Sequence, residues 1–186
     1  SLKYMRKFLG IVVLSLLWFD TSSAVENWKI ERVLDNKFTE VSINGNVTHG
    51  DKYRLHIRNN GKCDVVEDSF TFYTMANHSE ILKITGKKIG LEAMGNKILA
   101  DIKTSSSFLG GHIVWITTGL YNIDEHIKFL EKKEKLEVKL IYVFNDLEKK
   151  SGWDADDMFD INHNSWNLKN VSKALKQGQK MCMSTN

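Results

Sequence analysis

The chain has 186 residues, 42% of them hydrophobic and 26% charged, with 26 Lys and Arg against 23 Asp and Glu. That length suits one domain that can bury a core without disulfide stapling. Lys and Glu alternate through the densest charge run, Glu131–Lys139, so no basic face of the kind nucleic acid requires stands out.

Residues 1–24 read as a secretory signal peptide. Arg6 and Lys7 form a positive start, and an apolar run extends from Phe8 to Phe19, broken only by Gly10 and Ser15. Ser22 and Ala24 then supply the small residues that a peptidase accepts before a cut at Val25. The run is too short for a spanning helix, which needs about 20 apolar residues. Contact with a membrane is therefore expected only in transit, through the leader. Met5 directly precedes the Arg-Lys pair and is the alternative start. Without Lys3, Arg6, Lys7 and Asp20, 23 basic and 22 acidic side chains remain.

Residues 25–186 are expected to form a single strand-rich domain. Trp28–Leu34 reads as a first strand, and Phe38–Ile43 as a second, followed by an Asn44-Gly45 hairpin signal. Lys52–Arg58 alternates, with Tyr53, Leu55 and Ile57 on one face and Arg54 and His56 on the other. Asn59-Asn60-Gly61 marks a turn into Cys63–Val66, and Ser69–Thr74 places Phe70 and Phe72 together. Ile89–Met94 and Lys97–Thr104 flank Gly95-Asn96 as a further hairpin. His112–Thr117 and Leu136–Phe144 complete the strands. A helix capped by Asp124 is expected to run to Lys135, with Ile123, Ile127 and Leu130 on its buried stripe. A second starts at Asn167 and carries Leu168, Val171, Ala174, Leu175 and Cys182. The fold class expected is mostly β, antiparallel and sandwich- or barrel-like, with two short helices, one of them C-terminal. An α+β arrangement is the alternative.

In the last third, Phe159-Asp160-Ile161, Ser165-Trp166-Asn167-Leu168 and Lys173-Ala174-Leu175 follow a helix and an aromatic-ended strand. This pattern resembles the C-terminal region of the invasion-associated locus B family of exported bacterial proteins. The family's Gly-Phe pair is Asn170-Val171 here, and its internal Cys pair is missing around Gly110–Leu120. The resemblance implies a periplasmic β-sandwich-like domain that binds or supports a partner and has no known catalysis. It transfers no functional residues.

Chemistry-bearing motifs are sparse. His49, His56, His78, His112, His126 and His163 form neither HExxH nor an i, i+4 pair, and His56 and His126 fall on expected solvent faces. No Gly-x-Ser-x-Gly or Ser-x-x-Lys occurs. Asp154, Asp156, Asp157 and Asp160 are the candidate oxygen ligands for a hard cation. The segment lacks the glycine and glutamate of an EF-hand, so a solvated loop is the preferred reading. Trp115 is expected in the core. Trp153, beside Gly152, is expected to be exposed and is the candidate binding residue. Cys63 and Cys182, the only cysteines, are expected to form a disulfide in an oxidising compartment. The function expected is that of a periplasmic or secreted, non-enzymatic binding or envelope-support protein, with an unidentified protein or envelope component as partner and no cofactor. A secreted hydrolase with a dispersed site is the alternative.

Overall fold

The computed structural model describes residues 23–48 and 50–184. The expected leader therefore falls almost wholly outside the described residues, as does His49. In chain order the elements begin with β1 (Ser23–Val25), β2 (Trp28–Val33), β3 (Phe38–Asn44), β4 (Lys52–Arg58) and β5 (Val65–Thr74). A 3-10 turn (Ile81–Lys83), β6 (Lys88–Ala93), β7 (Asn96–Phe108), β8 (Gly111–Asn122) and α1 (Ile123–Leu130) follow. The chain ends with β9 (Lys135–Asp146), β10 (Ser151–Asp154), α2 (Ala155–Met158), β11 (His163–Asn167) and α3 (Val171–Met183).

The strands form one antiparallel sheet in the order β1-β2-β3-β4-β5-β8-β7-β6-β9-β10, with β11 beside β10 on the same flank of β9. The mostly-β antiparallel fold with a C-terminal helix is thus the one that forms. The strands make a continuous sheet that is not closed into a barrel, and there are three helices rather than two. The sheet rolls so that its ends face each other across the core. Trp166 of β11 packs against Tyr53 of β4 and against Phe70 and Phe72 of β5, with ring centroids 5.8–6.1 Å apart. One backbone bond, Asn46 N to Ser165 O at 2.8 Å, joins the loop after β3 to β11.

Several local readings shift. Asn44-Gly45 does not make a tight hairpin: β3 and β4 are joined by the longer segment 45–51, which Asn164 holds through bonds from Val47 N and to Thr48 O. The β6–β7 turn is Met94-Gly95, one residue earlier than read, because both residues take positive φ (49° and 79°) as a two-residue hairpin turn requires. The residue that caps α1 is Asn122, whose Oδ1 accepts from Asp124 N and Glu125 N. The segment read as an acidic loop is instead β10 and α2, because Trp153 pairs in register with Val143 of β9.

Helix α3 lies across β2, β3 and β4. Gly178 permits the close approach, since a Cβ there would stand 2.5 Å from Val41 Cγ2. Cys63 and Cys182 are bridged, with Cα atoms 6.1 Å apart, so α3 is tied to the loop between β4 and β5. None of the helices among the described residues is long and apolar enough to cross a membrane.

Candidate functional site

A cavity of about 430 Å³ opens between α1 and the concave face of the sheet. Phe70, Leu130, Leu136 and Val138 supply its apolar walls, and Ile98, Tyr121 and Phe129 form a partly exposed rim. Its floor is polar. Alternation along β5 sends Val66, Asp68, Phe70 and Phe72 to the same inner face, so Asp68 lies in a hydrophobic row. Opposite it, β8 carries one extra residue, Thr118, and this bulge places Thr118 in the cavity lining.

Asp68 is 7% exposed and His126 5%. Tyr53 Oη donates to Asp68 Oδ2 at 2.7 Å, and His126 Nε2 meets the same oxygen at 2.8 Å. Burial pushes the Tyr53 phenol well above its usual value, and the adjacent Asp68 carboxylate adds to the effect, so Tyr53 is a permanent donor. His126 is gripped by its neighbours: Tyr121 stacks on it at 4.6 Å and 8°, and Phe129 at 6.1 Å and 23°. The helix start is fixed by Asn122 and by a bond from Ile123 N to Asp64 O. The arrangement can bind and orient a molecule that has both an apolar body and a polar end.

The outer face of the sheet carries a second buried pair. Glu40 Oε2 lies 3.0 Å from His56 Nε2 and 3.5 Å from Arg54 Nε. Burial raises the Glu40 pKa, but the His56 hydrogen bond and the charges of His56 and Arg54 outweigh it and hold the carboxyl down at about 2. Arg54 also donates to Thr71 Oγ1 and lies 5.5 Å over the Trp115 ring. A third buried carboxylate, Asp51, accepts from Tyr73 N at 2.7 Å and from Asn164 at 3.0 Å. Burial, reinforced by the charge of Asp160, nevertheless pushes Asp51 up to about 6. A larger depression of about 550 Å³, lined by Glu131, Lys133, Asn167 and Asn170, has no buried titratable group in its wall.

The residues singled out from sequence lie elsewhere. Trp153 is half-buried rather than exposed, because β10 packs it against the core and edge-on to His78 at 5.8 Å. Asp154, Asp156, Asp157 and Asp160 are exposed. Asp156 accepts from Asn162, and Asp160 accepts from Met75 N at 3.3 Å. Among the described residues, no group of three or more His, Cys, Asp or Glu side chains is placed to hold a metal ion. Trp115 is half-buried on the outer face rather than in the core. His56 and His126 are buried rather than solvated, each by a carboxylate and aromatic neighbours.

No protein-family model, curated protein or solved structure matches the chain.

The site residues did leave signals in the sequence. His126 lies three residues after Ile123 and four before Leu130, on the buried stripe already read for that helix. Asp68 continues the alternation of Phe70 and Phe72 by one step, and beginning that strand at Ser69 hid it.

Proposed function

We propose that this chain is an exported, non-catalytic binding domain that holds a small, largely apolar molecule in the cavity over Asp68 and His126. The observation that carries this reading is the combination of an apolar cavity of about 430 Å³ with a buried, convergent polar cluster at its floor. Ligand sites have that composition: mostly hydrophobic walls and a few placed polar groups. The exposed rim of Ile98, Tyr121 and Phe129 supplies an entrance that would bury further apolar surface on binding. The Cys63–Cys182 bridge supports an oxidising compartment.

The hydrolase alternative draws on the Asp68–His126 pair, which also serves as a general base in enzymes. A hydrolase with a covalent intermediate would require a hydroxyl or thiol hydrogen-bonded to the imidazole. Among the described residues His126 hydrogen-bonds Asp68, and the neighbouring hydroxyl, Tyr53 Oη, donates to that same carboxylate. Binding is therefore the better-supported reading.

The test is fluorescence titration with N-phenyl-1-naphthylamine, a neutral apolar dye. The unaltered protein should enhance its emission with micromolar affinity. Ala93→Phe, which fills the cavity, and Phe129→Ala, which removes one of its three rim side chains, should each weaken binding about tenfold, or roughly 1.4 kcal/mol. Circular dichroism of both variants should be unchanged. No enhancement by the unaltered protein, or binding by both variants as tight as that of the unaltered protein, would refute the reading.

A further inference from the structure

The chemistry of the cavity floor narrows the class of molecule it takes, an inference that rests on the binding reading above. Asp68 Oδ2 receives both the Tyr53 hydroxyl and His126 Nε2. A carboxylate can only accept, so the imidazole carries its proton on Nε2, and in the neutral ring Nδ1 is left as an acceptor. Neither His126 Nδ1 nor Asp68 Oδ1 is hydrogen-bonded among the described residues, and neither is sealed away from solvent. Tyr53 has one proton, and Asp68 holds it. Glu125 adds a carboxylate at the mouth, one residue before His126. Beside the Thr118 hydroxyl, which can donate or accept, the open positions at the polar end are acceptors, and two of the three residues that supply them are acids. The aromatic faces of Tyr121 and Phe129 beside them carry negative π density, which also favours a cation. The opposing charge, Lys133, is exposed on the rim.

We infer that the cavity takes an amphiphilic primary amine: an aromatic or alkyl body against Phe70, Leu136 and Val138, with its ammonium group donating to Asp68 and His126 at the floor and the Glu125 carboxylate adding negative charge from the mouth.

The experiment is isothermal calorimetry at pH 7 with three molecules of one shape, 2-phenylethylamine, 2-phenylethanol and 3-phenylpropanoate. The amine should bind at least about tenfold more tightly than the alcohol, because a charge-assisted bond replaces a neutral one. The carboxylate should bind most weakly. Glu125→Gln, an exposed change that leaves the core alone, should lower amine affinity about threefold and leave the alcohol unchanged. Equal binding of amine and alcohol, or preference for the carboxylate, would overturn the inference and leave the binding reading intact. Failure of all three to bind overturns the inference as well. If the naphthylamine dye still binds in that case, the binding reading survives, and if the dye also fails, both fall.

Discussion

On the outer face of β3 and β4, His56 meets Glu40 at 3.0 Å, and on the inner face, between β5 and α1, His126 meets Asp68 at 2.8 Å. The pairs share their chemistry and nearly their burial, but their surroundings differ. Glu40 has a permanent cation, Arg54, as its second partner, and Arg54 is itself committed to Thr71 and laid over Trp115. Asp68 has a phenol as its second partner, and the floor of the cavity keeps acceptor positions open. The outer cluster is electrostatically closed and acts as a cross-strand rivet. The inner one is incomplete toward a space. His56 also lines a smaller hollow, of about 260 Å³, with Phe38 and Trp115, but the Glu40 carboxylate behind it is already engaged by Arg54.

The inner pair also depends on helical cover, whereas the outer pair depends on strands alone. Cutting the tether of α3, which packs against α1, should give the largest effect. Cys63→Ser with Cys182→Ser opens a loop of 119 residues and should lower stability by about 4–5 kcal/mol in urea unfolding, on the chain-entropy argument. Hydrogen exchange should rise in α1 and α3 before it rises in β3 and β4. Uniform acceleration would break the distinction between the faces.

A smaller effect should come from acid. The Glu40 carboxyl titrates at about 2 in the folded chain and near 4.5 when unfolded. Its contribution is therefore complete above pH 4.5 and lost as pH falls from there through 2. The loss should reach about 2–3 kcal/mol. Asp51 acts with the opposite sign: raised from 3.8 to about 6, it costs stability as pH rises through that window. In urea midpoints measured against pH, Glu40→Gln should flatten the limb below 4.5, and Asp51→Asn should flatten the slope between 4 and 6. Identical profiles for Glu40→Gln and the unaltered chain would remove the outer rivet from the account.

The mildest change sharpens the same contrast. Asn122→Ala removes the cap of α1 and should cost about 1 kcal/mol. It should also move the imidazole resonances of His126 while leaving those of His56 in place. Shifts at both rings would mean that the two faces are coupled through the sheet.

Much of this architecture was legible in the sequence, because alternation and helical spacing report burial directly. Tyr53, Leu55 and Ile57 mark the inner face of β4, and Ile123, Ile127 and Leu130 mark that of α1. The disulfide followed from the two cysteines and the expected compartment. The site was harder to see because its residues are polar groups at apolar positions. Reading histidine and aspartate as solvent-facing works only where nothing covers them. For His56 the cover is Phe38 and Trp115, distant in sequence and set by strand order. The β8 bulge that admits Thr118 to the cavity is a property of pairing between strands and has no counterpart in one strand's own pattern.

The links between β2 and the distant segment that leads into α3 have a consequence for how the fold is made. Trp28 Nε1 donates to Lys169 O, Arg32 donates to Met181 O, and the 119-residue loop closes only at Cys182. Strands β2 and β3 thus lack their cover until α3, the last helix, has left the ribosome. Contacts of such wide sequence separation fold slowly and late. A nascent chain built this way leaves β2 and β3 uncovered until the segment around Cys182 has emerged, so the first strands must wait on one of the most distant parts of the described fold.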